Sequence, residues 1–127
     1  MFNYIIIDDN KIDLLVAGKA IEMSQQPVVS VQQFLSASFA LEHIISFQSP
    51  HKTILLIDIQ MPVMNGFDFM EEFEKLEKET KANYICFFLT SSSNDLDRLK
   101  AQKYPSLKQF LTKPFTTDKL ISLLKSI

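Results

Sequence analysis

Residues 53–62 read Thr53-Ile54-Leu55-Leu56-Ile57-Asp58-Ile59-Gln60-Met61-Pro62. The apolar run Thr53 to Ile57 is short, rich in branched side chains, and ends at a carboxylate. Such a run reads as a strand buried on both faces, the kind a parallel sheet contains. Working outward, Tyr4 to Ile7 stops at Asp8-Asp9, Tyr84 to Leu89 stops at Thr90, and Leu107 to Leu111, interrupted by Lys108 and Gln109, stops just before Lys113. All four are read as strands buried on both faces, and Val28 to Phe34 supplies a fifth strand. Between them, apolar residues recur at helical spacing: Ile12, Leu15, Val16 and Ile21; Phe39, Ala40, Ile44 and Phe47; Phe67, Met70, Phe73 and Leu76; Leu96 and Leu99; Leu120, Ile121 and Leu124. Each set is expected to form one stripe of a helix. Ser36, Asn94 or Asp95, and Thr116 or Thr117 stand where helix-capping side chains belong. The charge-rich segment Glu71 to Lys81 reads as the solvated side of the third helix. The order is β-α five times over, which predicts an α/β fold: a five-stranded parallel sheet with helices on both faces and right-handed crossovers.

Composition narrows the classes. The 127 residues carry 13 basic and 15 acidic side chains, a formal charge of −2, and 46% are hydrophobic. That balance excludes a disordered chain and argues for one domain over residues 1–127, large enough to fold without disulfides. The single cysteine, Cys86, sits in an apolar run and reads as a core residue, which suits a reducing compartment. His43 and His51 have no ligand partners at metal-binding spacing and read as surface or helix-packing residues. The amino terminus has no basic lead before Asp8-Asp9, and no apolar run approaches the ~20 residues that span a bilayer. A cytoplasmic protein without membrane insertion is expected. No block of Lys or Arg marks a nucleic-acid surface, so direct nucleic-acid binding is not expected.

In an open parallel sheet, ligands gather at the carboxyl ends of the strands where the strand order reverses. Asp8 and Asp9, Asp58, Thr90-Ser91-Ser92 and Lys113-Pro114 all follow strands, so three carboxylates, a hydroxyl and an ammonium converge on one sheet edge. Clustered carboxylates repel one another, and a hard divalent cation with oxygen ligands relieves the repulsion; Mg2+, which tolerates few carboxylates and several waters, fits. An Asp-Asp pair by itself would read as a turn or a cap.

These residues also carry a resemblance. Ile7-Asp8-Asp9-Asn10, then Leu56-Ile57-Asp58-Ile59-Gln60-Met61-Pro62 with Gly66 beyond, then Leu89-Thr90, then Lys113-Pro114-Phe115, resemble the receiver domain of two-component response regulators, in its stand-alone CheY-like form. The resemblance spans essentially the whole chain and implies a flavodoxin-like (βα)5 fold. It implies that Asp58 is the phosphoacceptor, taking a phosphoryl group from a phosphohistidine on a sensor histidine kinase or histidine phosphotransfer protein. It implies that Asp9, Asp58 and the Gln60 backbone carbonyl bind Mg2+, with Asp8 helping directly or through water. Thr90 and Lys113 would contact phosphoryl oxygens, and Lys113-Pro114 would be a cis peptide. Gln60 and Ser92 would flank the phosphoryl group at positions that influence its lifetime. Phe110, three residues before the lysine, occupies the place of a conformational reporter; its plainer reading is a core aromatic. Having no hydroxyl, it cannot make a phenol's hydrogen bond, although its rotamer could still follow Thr90. Lys103-Tyr104-Pro105-Ser106 departs from the Gly-Ala turn of many receivers.

The implied output is a two-state surface read by a downstream protein partner. Receivers often bind targets or pair through their fourth helix, fifth strand and fifth helix, so phosphorylation-dependent dimerisation is also implied; here that face would carry Arg98, Lys100, Lys103, Lys119 and Lys125 beside Asp95, Asp97 and Asp118. With no effector sequence after Ile127, output is expected through protein contacts or onward relay. Three rival readings are weaker. An aspartyl-nucleophile phosphatase needs a second acid two residues after the nucleophile, where Gln60 stands. A phosphorylation-independent adaptor would not need Asp8, Asp9, Asp58, Thr90 and Lys113 together. A flavin-binding domain would need a phosphate-cradling loop, and Gly is scarce.

Overall fold

The structure is a computed structural model that describes residues 1–91 and 94–127; Ser92, the proposed lifetime position, lies outside the described residues. The elements are β1 (Phe2–Ile7), α1 (Lys11–Met23), β2 (Val28–Phe34), α2 (Ala37–Ser46), β3 (Thr53–Asp58), α3 (Gly66–Phe73), α4 (Lys78–Lys81), β4 (Tyr84–Thr90), α5 (Asp95–Ala101), β5 (Leu107–Thr112) and α6 (Thr117–Lys125). All strand pairs are parallel, in the order β2-β1-β3-β4-β5. Alternate side chains of the central strands feed two cores. Ile5, Ile7, Leu55, Ile57, Cys86 and Phe88 meet α2 and α3 on one face. Tyr4, Ile6, Ile54, Leu56, Phe87 and Leu89 meet α1 and α6 on the other. Both cores come from strands with no polar face, as the unbroken apolar runs require. Among the described residues no helix is long and apolar enough to cross a membrane.

The expected caps are in place: Ser36, Asn94 and Thr116 each accept a hydrogen bond from a backbone N–H of the first turn. Asn10 caps α1 in the same way, accepting from Ile12 and Asp13.

Four expectations are corrected. β5 is not buried on both faces: Lys108, Gln109 and Thr112 are exposed, because β5 borders the sheet and has a neighbour on one side only. The core stripe of α1 is Leu14, Ala17, Ala20 and Ile21, whereas Ile12, Leu15 and Val16 face outward. Likewise Phe39, Leu96 and Leu99 are exposed, and α5 buries only Ala101. The small alanines let the helices sit close to the sheet, so apolar size alone picks the wrong face. Finally, α3 stops at Phe73. Glu74 caps it in a right-handed turn, Glu77 turns extended, and the separate turn α4 follows, so Glu71 to Lys81 is not one helix side.

The departure at Lys103 to Ser106 builds a seam between α3 and the start of β5. The Tyr104 hydroxyl donates to Glu71 Oε1 at 3.0 Å, and Ser106 donates to Glu74 through its backbone N–H (2.8 Å) and its hydroxyl (2.7 Å). Burial, reinforced by the bond to Glu71, pushes the Tyr104 phenol up to about 12. Cys86 is fully buried and burial raises its thiol pKa, so it is inert core. His43 packs between Phe34 (ring centroids 5.4 Å apart) and Phe47 (4.9 Å), the helix-packing role expected of it.

Candidate functional site

The chain order reverses between β1 and β3, which are neighbours in the sheet, and Asp8 and Asp58 stand at their carboxyl ends. Asp8 is almost fully buried and is fixed by the Asn10 N–H, which donates to Oδ1 at 2.9 Å. Asp9 beside it is exposed. One carboxylate oxygen from each of Asp8, Asp9 and Asp58 falls within 4.8 Å of the others, so the structure brings the three predicted acids together.

Lys113 arrives from the far end of β5. Its backbone N–H donates to the Thr90 carbonyl at 2.7 Å, and the Lys113–Pro114 peptide is cis. Its ammonium reaches Asp8 Oδ2 at 2.7 Å, Asp13 Oδ2 at 2.8 Å and Asp58 Oδ1 at 3.4 Å. Burial opposes that charge, but the hydrogen bond it donates to Asp13 and the nearby negative charges of Asp8 and Asp58 outweigh burial and raise the lysine's pKa. The contact to Asp8 Oδ2 is an ion pair without hydrogen-bond alignment, so this buried oxygen still offers a lone pair. A buried, unaligned carboxylate oxygen beside two further carboxylates is a donor set that fits a hard divalent cation.

Burial raises the Asp58 carboxyl to about 6; Asp8 adds repulsion, while Lys113 and the Gln60 backbone N–H pull the other way. The crowding expected from the sequence is therefore real but ranks behind desolvation. Thr90 is buried at the end of β4, with its backbone paired to Thr112 of β5. Gln60 is exposed two residues beyond Asp58. Phe110 is half-buried with its ring edge-on to Phe88 (5.5 Å), and the Arg98 guanidinium sits 5.2 Å from its centroid. It stands opposite Phe88, two positions short of Thr90, so its first neighbours are aromatic.

The segment between Asp58 and α3 folds tightly against the strand end. Gly66 N–H donates to the Ile59 carbonyl at 2.8 Å. A Cβ on Gly66 would stand 2.9 Å from the Asp58 carbonyl oxygen, so only glycine allows this approach. Val63, at φ 68°, adopts a left-handed conformation that is costly for a β-branched residue. Asn65 and Asp68 close the start of α3 with a reciprocal capping box.

Asp13 is the site residue the sequence did not single out. It lies in the first turn of α1, 100 positions before its partner Lys113, and belongs to none of the quoted motifs. Its only signal is its place one turn beyond Asp9 and Asn10, on the helix that begins at this edge.

Comparison with known proteins agrees with this architecture. Residues 4–125 match the family model of the response regulator receiver domain. The crystal structure of a response regulator receiver protein from Dyadobacter fermentans is 32% identical and superimposes with a TM-score of 0.88, covering 99% of this chain and 97% of that one. A probable transcriptional regulator, ycf29, from Porphyra purpurea is 30% identical over 100 residues, 76% of this chain and 46% of its own length. A probable histidine kinase 4 from Oryza sativa is 34% identical over 76 residues, 59% of this chain and 7% of its length. The chain thus spans less than half of these two relatives.

Proposed function

The chain belongs to the response regulator receiver domain family, and from that premise we propose that residues 1–127 act as one phosphoacceptor switch of a two-component phosphorelay, with Asp58 as the phosphoacceptor. The observation that carries this reading is the meeting of Asp8, Asp9, Asp58 and the Lys113 ammonium at the reversal point of the sheet. The donor would be a phosphohistidine on a histidine kinase or phosphotransfer protein, and the output a protein contact or a phosphorylation-dependent dimer.

In the reaction, an Asp58 oxygen attacks phosphorus, the phosphorus–nitrogen bond of the phosphohistidine breaks, and the imidazole leaves with the electron pair. Attack requires the carboxylate form, and with a pKa of about 6 Asp58 is mostly ionised at neutral pH. Asp9, Asp58 and the Gln60 backbone carbonyl, with Asp8 directly or through water, would hold Mg2+, which when bound supplies charge neutralisation for the transferring group. Lys113 neutralises one phosphoryl oxygen and the Thr90 hydroxyl donates to another. The arriving charge of about −1.5 to −2 then draws Lys113 and Thr90 inward and alters the surface around the ends of β4 and β5 that a partner reads. The reaction is phosphoacceptance by a regulatory domain. The place of a leaving-group acid two residues after Asp58 is taken by Gln60, which cannot protonate.

The test is incubation with acetyl phosphate and Mg2+ followed by intact-mass measurement. The parent should gain one phosphoryl group, and Asp58→Asn or chelation of the metal should abolish the gain. Equal labelling of Asp58→Asn would overturn the assignment.

A further inference from the structure

Lys113 is committed before any phosphoryl group arrives. Among the described residues three carboxylates surround its ammonium, Asp8 at 2.7 Å, Asp13 at 2.8 Å and Asp58 at 3.4 Å, and of these the proposed phosphoacceptor is the most distant. An ammonium has three N–H donors. The contact to Asp13 is an aligned hydrogen bond, whereas that to Asp8 is not.

The two acids that hold Lys113 differ in their freedom. Asp8 is buried and pinned through Oδ1 by the Asn10 N–H. Asp13 has about a third of its side chain exposed (34%), and its backbone N–H is already satisfied by the Asn10 cap. Its carboxylate can be returned to water with little desolvation to recover. It also stands outside the triad of Asp8, Asp9 and Asp58. No step of the proposed transfer uses it.

We propose, on the basis of the phosphoacceptor reading, that Asp13 is a positioning residue that tethers Lys113 in the unphosphorylated protein and competes with a phosphoryl group on Asp58 for the same ammonium. A phosphoryl group presents three strong acceptor oxygens. A phosphoryl oxygen carried on Asp58 would pull the ammonium toward Asp58, now 3.4 Å away, and so strain its one aligned side-chain bond among the described residues, the one to Asp13. Asp13 therefore lowers the affinity of the site for a phosphoryl group and sets how firmly Lys113 follows it. Exchange of one ammonium between two acceptors, 100 positions apart from one of them along the chain, makes the start of α1 part of the switch.

The test uses the full chain, excess Mg2+ and beryllofluoride, a phosphoryl mimic that binds a carboxylate without a donor, titrated by calorimetry up to millimolar concentration. Asp13→Asn should bind beryllofluoride roughly three- to tenfold more tightly than the parent, the range of a partly exposed charge-assisted bond. Asp13→Glu, which keeps the charge and can reach the ammonium, should return to parent affinity, and thermal melts check that both variants fold. Removing a negative charge could by itself favour an anion, so the comparison is repeated in a Lys113→Met background, where the gain from Asp13→Asn should vanish. Unchanged or weaker binding by Asp13→Asn, a Glu variant that behaves like the Asn variant, or a gain that persists without Lys113 would each overturn the tether. Beryllofluoride binding by Asp58→Asn would instead overturn the phosphoacceptor reading beneath it.

Discussion

As the proposed phosphoacceptor, Asp58 would have to be ionised to act as a nucleophile while sitting in a buried strand end, and the two demands conflict. Its carboxyl is raised from the ordinary 3.8 to about 6, chiefly by burial. Below pH 4 both folded and unfolded forms carry the proton. Between pH 4 and 6 the folded form keeps a proton that the unfolded chain has released, so stability falls as pH rises; above 6 the loss is complete, on the order of 3 kcal/mol. In chelator, the stability of Asp58→Asn minus that of the parent should therefore grow by up to that amount between pH 4 and 7 and then level off, measured by urea titration. A flat difference would mean that the buried charge is not the source of the cost. Residues of this kind were legible in the sequence, because Asp8, Asp9, Asp58 and Lys113 each follow an apolar run whose end the sheet must bring to one edge. Asp13 was not legible. Its partner comes from the other end of the chain, and a single acid in a helical first turn is what any capped helix contains.

Strands and helices were legible to different degrees. The runs at β1, β3 and β4 announce themselves because a strand covered on both faces has no polar side to interrupt it. Helix faces were harder to read: Ile12, Leu15, Leu96 and Leu99 look like core and are not, while Ala17, Ala20 and Ala101 look neutral and are buried. Where a helix lies close to the sheet, small residues make the contact and large ones are left outside. The loop between β3 and α3 depends on the same closeness. A methyl group on Gly66 would meet the Asp58 carbonyl oxygen and the Ile59 Cα at 2.9 Å and the Phe88 ring at 3.1 Å. Gly66→Ala should thus cost about 1–3 kcal/mol, as overpacking does, and should slow labelling by acetyl phosphate because Asp58 is pushed out of place. Parent-like melting together with parent-like labelling would show that the loop relaxes freely.

At the scale of the whole molecule, the proposed Mg2+ site predicts that stability depends on the metal. Asp9→Asn should melt higher than the parent in chelator, since one repulsive charge is gone, and should lose most of the stabilisation that excess Mg2+ gives the parent, since one ligand is gone. Four melts decide it; a variant that melts lower in chelator and keeps the full Mg2+ shift would make Asp9 a structural residue. The seam at the other end of the strands, where β5 begins, has a consequence for how such melts are watched. The chain has three tyrosines and no tryptophan. Tyr4 is fully buried in the α1/α6 core, Tyr84 is half-buried against Phe73, and Tyr104 is buried with its hydroxyl on Glu71. The fluorescence of this protein is therefore a signal from packed phenols, while its eleven phenylalanines share in the near-ultraviolet absorption and circular dichroism. A change in Tyr104 emission would record the parting of β5 from α3, making that seam the built-in optical gauge of the fold.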